Sequence, residues 1–195
     1  MRTTGRLLPL ALLLLPASTW AHVGLHGDGF TSGFTHPIFG FDHFLAMLSV
    51  GLLSVQLGGR SIWTVPATFL LFVLIGGVLG LTGIPFFSVE TGIAASVLLL
   101  GLAILADRKI PELLAMAAVA GFALFHGHAH GTEMPGFAHP AAYAAGFVLG
   151  TAGIHLLGVG LGLLANRNKS GSLVLRASGA AIALVGFNFL SLALR

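Results

Sequence analysis

Two short segments rich in histidine stand out in a sequence that is otherwise dominated by apolar residues. The first runs from His36 to His43 and carries Asp42 directly before its second histidine. The second runs from His126 to Glu133 and has histidines at alternate positions. Imidazole and carboxylate groups together are ligands that borderline divalent cations such as Ni²⁺, Co²⁺ and Zn²⁺ accept. The two segments therefore predict a binding site for a transition-metal ion.

The composition places these segments in a membrane protein. Of the 195 residues, 56% are hydrophobic and 8% are charged, whereas a soluble domain carries about 25% charged residues. Ionisable groups are costly in hydrocarbon unless they are paired, hydrated or metal-bound, so histidines in apolar segments are functional candidates. The absence of cysteine excludes disulfides and thiolate ligands for soft metals. The net charge of +3 is too small and too dispersed to indicate a nucleic-acid partner.

Residues 1–21 have the features of a cleavable signal peptide. Two arginines precede a short apolar stretch, and Ala21 ends a plausible cleavage context. The apolar stretch is too short to cross a bilayer, which requires roughly 20 residues. We therefore divide the chain into a signal peptide and a membrane domain, 22–195, with an uncleaved anchor as the alternative. After cleavage the chain begins at His22, which is either an auxiliary metal ligand or part of a solvated tail.

Six apolar runs follow, each near the length that a helix needs to cross a membrane. Their approximate bounds are 41–58, 61–82, 87–105, 111–131, 139–165 and 173–194. The breaks between them contain the glycine, proline and charged residues typical of turns. We therefore predict an all-α membrane protein with six transmembrane helices after a cleavable N-terminal signal peptide. The fifth run is the longest, so we expect it to be tilted or to begin outside the bilayer.

The positive charges between the runs predict the orientation of the helices. Lysine and arginine occur in alternate loops and just inside the last run, and only the terminal Arg195 belongs to the opposite side. Because positive residues favour the cytoplasmic side, residue 22 is predicted to lie outside, in agreement with export by a signal peptide. The cytoplasmic set is Arg60, Arg108, Lys109, Arg167, Lys169 and Arg176.

This orientation brings both histidine segments to the outer side, where one site can form between helices. Glu90, at the outer start of the third run, is a further candidate, or only a favourable anion at a helix N-terminus. His155 lies roughly 22 Å below the outer end of the fifth run. It is either a relay for the ion toward the inside or a packing residue. The predicted metal ligands are His36, Asp42, His43, Glu90, His126, His128, His130 and Glu133.

Helical geometry limits which groups in the first segment one ion can reach. His36 and His43 are two turns apart in a regular helix, or about 10.5 Å. Pro37 disfavours helix at His36, and Gly40 is a natural break. We therefore expect an irregular segment here, or two sites occupied in sequence. Asp42 is either a direct ligand or an acceptor that orients a histidine.

The second segment contains an i,i+4 pair, His126 and His130, on one helical face. His128 then points the other way and joins them only if the backbone is extended, which Gly127, Gly131 and Pro135 would permit. We expect two of the three histidines to contact metal.

The two segments resemble the HupE/UreJ family of nickel and cobalt permeases. The similar residues are His36-Pro37-x-x-Gly40-x-Asp42-His43-x-x-Ala46-Met47 and His128-Ala129-His130-Gly131-x-Glu133-x-Pro135, with Glu90-x-x-Ile93-Ala94-x-Ser96-Val97 between them. With the signal peptide and six spans, the resemblance covers essentially the whole chain. It implies import of Ni²⁺, or of Co²⁺, through the bacterial inner membrane to supply hydrogenase or urease.

We therefore predict a secondary transporter that is not an enzyme and has no tightly bound cofactor. An ATP-binding motif, a Gly-x-Ser-x-Gly elbow and a His-Glu-x-x-His motif are absent from the sequence. The expected partners are the metal ion, the lipid bilayer, and a second copy of the chain or hydrogenase and urease maturation proteins. Two alternatives remain: a haem electron carrier with two histidine ligands, and an accessory protein that binds metal without conducting it.

Overall fold

The computed structural model describes residues 29–134 and 139–195, and every regular element in these ranges is an α-helix. The predicted signal peptide and His22 lie outside the described residues. The helices are α1 (Gly29–Phe39), α2 (Phe41–Leu57), α3 (Ser61–Leu81), α4 (Val89–Ala106), α5 (Glu112–Thr132), α6 (Pro140–Asn166) and α7 (Gly171–Ala193).

Five of these helices, α3 to α7, are long and apolar enough to cross a membrane. The bent pair formed by α1 and α2 makes a sixth candidate when it is counted as one span. Helices suit this environment because each one satisfies its own backbone hydrogen bonds where lipid offers none. The prediction of an all-α membrane protein is therefore confirmed, with five or six apolar spans among the described residues. The longest is α6, with 27 residues, or about 40 Å at 1.5 Å per residue.

The segment before Gly40 differs from the prediction. We expected irregular backbone there, but α1 is a regular helix that includes both His36 and Pro37. The break falls at Gly40 itself, where α1 and α2 meet at 78°. Pro37 is fully buried and lies against Gly150 of α6. Tertiary packing thus overrides the local preference of the residue before a proline for extended backbone.

The bent pair follows α6 in the same direction along its whole length. Near the start of α6, Gly33 of α1 lies directly on the Tyr143 carbonyl. Further along, Gly51 of α2 lies directly on the His155 carbonyl. These contacts advance in the same direction along the bent pair and along α6, as expected for one broken span rather than a loop that returns to its starting side.

Glycines set the position of α5 against α3. A Cβ atom at Gly127 would overlap the Val73 carbonyl, and one at Gly131 would overlap the Gly77 carbonyl. Small residues at this spacing let helix backbones approach closely. These glycines therefore serve helix packing and do not extend the backbone, and α5 remains regular to Thr132.

The two ends of the bundle differ in charge. We call the end that holds His36, His130 and Glu133 the histidine end, and the opposite end the basic end. At the basic end, the Lys109 ammonium donates hydrogen bonds to the last carbonyls of α2. Apart from Arg195, the described lysines and arginines all belong to the basic end: Arg60, Arg108, Lys109, Arg167, Lys169 and Arg176.

An apolar layer lies between the two ends. Its members come from α2, α3, α4 and α5, and each is at most 1% exposed: Met47, Val50, Phe69, Val97 and Val119. On α2 this layer starts one turn beyond His43, toward the basic end. The polar groups of the histidine end are therefore in direct contact with the buried side chains of this apolar layer.

Candidate metal site

The structure brings the two histidine segments together between α1, α2 and α5. Four imidazole rings contact one another in series, with centroids 4.6 Å apart for His36 and His130, 4.3 Å for His130 and His43, and 4.7 Å for His43 and His126. The bend at Gly40 makes this possible, because the two histidines of the first segment would be about 10.5 Å apart on a straight helix. We call these four rings the histidine series.

The outermost part of the histidine series carries a carboxylate. One ligand atom from each of His36, His130 and Glu133 lies within 4.8 Å of the other two. The His36 Nε2 and Glu133 Oε2 atoms are 3.6 Å apart, and their side chains are 27% and 51% exposed. The side-chain interaction with His36 lowers the pKa of Glu133 below its usual value. This rim is therefore open to solvent and carries an ionised carboxylate at neutral pH.

Asp42 fixes the orientation and tautomer of His43. One Asp42 oxygen accepts hydrogen bonds from the His43 backbone N–H and from the ring Nδ1, each at 2.8 Å. A carboxylate only accepts, so in the neutral ring the single proton resides on Nδ1 and leaves a lone pair on Nε2. The Nε2 atom is buried without a hydrogen-bond partner among the described residues. This contact fits the orienting role predicted for Asp42, and its role as a direct ligand stays a prediction.

Ser96 of α4 has the same effect on His126, and sequence reasoning gave it no role. Its hydroxyl donates to the Ile93 carbonyl at 2.6 Å, so its oxygen must accept from His126 Nε2 at 2.8 Å. The lone pair of His126 therefore lies on Nδ1, which has no other partner among the described residues. The sequence signal that could have found it is a single serine in an apolar run, six residues after Glu90.

His130 is one of the two inner rings of the histidine series. It is 3% exposed, and neither of its ring nitrogens has a hydrogen-bond partner in the described part of the chain. Leaving a buried polar atom unpaired costs about 1–3 kcal/mol. A bound cation would remove this cost for one of the two nitrogens, since a neutral imidazole offers one lone pair to a metal.

Glu90 lies beside the histidine series, in the first turn of α4. It is exposed and interacts electrostatically with Asp42, His43 and Glu133. Three carboxylates, on α2, on α4 and directly after α5, thus lie close enough to His43 to interact with it electrostatically, and they make this end of the bundle attractive to cations.

The structure does not bring His128 to the histidine series. Its Nε2 donates to the Ile84 carbonyl at 2.7 Å, and its ring stacks on Phe86 with centroids 4.7 Å apart. Both partners belong to the connection between α3 and α4. Because α5 is regular here, His128 remains on the other face of the helix from His126 and His130.

His155 is also separate, and it lies deeper. The ring of Phe69 stands between it and the histidine series, with centroids 5.7 Å from His126 and 5.1 Å from His155. His155 is only 2% exposed. The structure therefore places it beyond the four rings, toward the basic end.

Fold and side chains together define a multi-pass membrane protein with a buried imidazole cluster and three carboxylates near one end. The family described as HupE / UreJ protein matches residues 10–189, and the chain belongs to this family. The chain is 46% identical over 177 residues to Protein HupE of Rhizobium leguminosarum bv. viciae. These matched residues make up 91% of this chain and 92% of that protein. No solved structure gives a significant match. The family is of the transporter type and is not an enzyme family.

Proposed function

We propose that this protein imports Ni²⁺, with Co²⁺ as the alternative cargo, across the bacterial inner membrane without ATP. The observation that carries the proposal is the pair His43 and His126. Each ring is held by a hydrogen bond on one nitrogen while the other nitrogen is buried and free. Membership of the HupE / UreJ family, which implies nickel or cobalt transport or an accessory role for hydrogenase or urease, supports it.

The donor set suits a cation that must bind and then leave. Imidazole nitrogen and carboxylate oxygen fit Ni²⁺ and Co²⁺ better than alkaline-earth ions, which prefer oxygen alone. Conduction also requires binding that is strong enough to displace water and weak enough to release the ion. Neutral imidazoles with a few carboxylates at the rim meet both requirements.

The spacing of the rings supports stepwise movement. The ion is captured by His36 and Glu133 at the exposed rim, transferred to His130, and then to the free nitrogens of His43 and His126. Neighbouring ring centroids are 4.3–4.7 Å apart, so a new ligand bond can form before the previous one is lost. Water is thereby removed in steps, which avoids the full cost of desolvating a divalent ion at once.

The same spacing argues against a haem. A haem iron with two histidine ligands needs them on opposite faces of the macrocycle. Edge contacts between the rings of His130 and its neighbours, with centroids 4.3 and 4.6 Å apart, leave no space for that group between them. An accessory protein that holds metal without conducting it is the second candidate, since family membership supports either role.

We propose further that the histidine end faces the periplasm and the basic end the cytoplasm, where hydrogenase or urease maturation proteins receive the metal. The described positive charges at the basic end support this orientation. Because the chain has no cysteine, single cysteines report it directly. A cysteine at Gly136 should react with an impermeant thiol reagent in whole cells, and one at Asn168 should not. The reverse labelling would contradict the orientation.

Transport itself is tested in liposomes that contain a Ni²⁺-sensitive chelating dye. The wild-type protein should admit Ni²⁺ faster than protein-free vesicles do, and His130→Ala should abolish most of this flux. Asn166→Ala, at the exposed basic end of α6, is the matched control and should retain it. Tight Ni²⁺ binding without any flux would favour the accessory role instead.

A further inference from the structure

A second group of unpaired polar atoms lies deeper in the bundle, on α6. Thr151 and His155 are 0% and 2% exposed and are one turn apart on one helical face. Neither the Thr151 hydroxyl oxygen nor either ring nitrogen of His155 has a hydrogen-bond partner among the described residues. A helical threonine can ordinarily bond a carbonyl of the preceding turn, so its unpaired state here is unusual. Packing alone does not account for two such groups side by side.

These residues continue a face of α6 that follows the histidine series. The ring of Tyr143 contacts His36, with centroids 6.3 Å apart, and the ring of Phe147 contacts His130 at 4.1 Å. Residues 143, 147, 151 and 155 repeat every four positions, which places them along one stripe of the helix. His155 is therefore the polar residue at the deep end of a stripe whose other end contacts the rim.

His155 lies near the middle of its helix. It is 15 positions after Pro140 and 11 before Asn166, or about 22 Å and 17 Å from the two ends. The Phe69 ring, which is fully buried, stands between it and His126. An ion that leaves the histidine series toward the basic end meets this ring first and His155 next.

We propose that His155, together with Thr151, forms a second and weaker binding site for the same divalent cation. This inference rests on the proposed transport function. One imidazole nitrogen and one hydroxyl oxygen are fewer donors than the histidine series offers, and neither is charged. Such a site lowers the free-energy barrier for passage of the ion at mid-membrane and binds the ion weakly enough to release it. The ring of Phe69 must turn aside for the ion to pass between the two sites.

A cysteine at position 155 tests directly whether metal reaches this depth. The chain has no other thiol, and a thiolate bound to Co²⁺ gives a charge-transfer absorption band in the near ultraviolet. Purified His155→Cys protein should develop this band on addition of Co²⁺. Ile154→Cys is the matched control, since Ile154 is adjacent and 4% exposed, and it should show no band. Equal spectra for the two variants would overturn the second site.

Uptake provides an independent measurement. In liposomes, His155→Leu should lower the initial rate of Ni²⁺ entry by about 10- to 100-fold, as expected for loss of a ligand. The equilibrium affinity of the histidine series for Ni²⁺ should change less than twofold, because none of its groups is altered. Wild-type entry in His155→Leu would overturn the second site. If that variant fails to fold, the cysteine spectra decide the question alone.

The two proposals fail in different ways. Normal entry through the wild-type protein, with no band at position 155 and no effect of His155→Leu, would remove only the second site. Absence of entry through the wild-type protein, with Ni²⁺ binding retained, would overturn both proposals.

Discussion

Replacing Ser96 by alanine removes one hydrogen-bond acceptor from the candidate metal site and leaves every proposed ligand in place. The Ser96 oxygen accepts from Nε2 of His126 at 2.8 Å, which keeps the opposite nitrogen deprotonated and available to a metal. In Ser96→Ala the ring is free to move its proton to Nδ1 or to rotate. Because His126 is 0% exposed, solvent does not readily replace the lost acceptor.

The size of the effect follows from this burial. An unpaired buried N–H costs about 1–3 kcal/mol, which corresponds to about 5- to 150-fold in an equilibrium constant. Loss of a residue that orients a metal-binding histidine costs 10- to 100-fold in affinity or activity. We therefore expect Ser96→Ala to weaken Ni²⁺ binding by about 10- to 100-fold and to lower uptake at low Ni²⁺ in proportion.

The assay is equilibrium binding of Ni²⁺ to the purified protein, combined with initial uptake into liposomes at several Ni²⁺ concentrations. Ser54→Ala is the matched control. Ser54 is also 0% exposed and donates to the carbonyl of Gly51, three residues earlier, at 2.7 Å. It has no histidine partner among the described contacts. Uptake by the two variants should differ most at low Ni²⁺ and converge as the site saturates.

Equal affinities for Ser96→Ala and Ser54→Ala would refute the reasoning. In that case the hydrogen bond to His126 would not set the tautomer that binds metal. A fall in uptake at all Ni²⁺ concentrations, with unchanged affinity, would likewise contradict a role in ligand orientation.

Three further predictions concern the other contacts. His128→Ala should lower the unfolding temperature by a few degrees, because it removes a hydrogen bond worth about 1 kcal/mol. The Ni²⁺ affinity should not change, and a loss of affinity would indicate that His128 is a metal ligand. Gly127→Ala should destabilise the protein because its Cβ meets the Val73 carbonyl, whereas Gly121→Ala, which faces open space, should be neutral or stabilising; thermal unfolding of both variants checks this, and equal midpoints would contradict it. Initial uptake should fall as external pH drops from 7 to 5.5, because protons compete with the metal ion for the lone pairs of the imidazole nitrogens, while the lowered pKa of Glu133 keeps that carboxylate ionised over this range. Acid stimulation, measured at clamped membrane potential, would instead indicate proton symport.

Most of the bundle could be predicted from the sequence because the signals are local. Spans follow from run length, and the break at Gly40 follows from the lack of a side chain. The opposite directions of His128 and the pair His126 and His130 follow from helical periodicity alone. The two ends of the bundle could also be distinguished from the sequence, because the lysines and arginines of each loop are visible without knowledge of the fold.

The remainder depends on contacts between distant residues, which local patterns do not encode. The helix α1 forms although Pro37 disfavours it, because the glycines of α1 and α6 allow the two backbones to touch. The contact of Ser96 with His126 exists only because α4 lies beside α5. The position of Phe69 between two histidines likewise requires α3, α5 and α6 to be known together.

The second histidine segment shows how one sequence motif carries both ligands and packing. On α5, His126 and His130 are four residues apart, and so are Gly127 and Gly131, offset by one residue or about 100°. The glycine pair locks α5 onto α3 through backbone contact, which fixes the rotation of the helix about its axis. That rotation aims the histidine pair at His43 of α2. A residue with a side chain in place of either glycine would separate the helices and turn the imidazoles away, so these glycines belong to the candidate site as much as the two histidines that they follow.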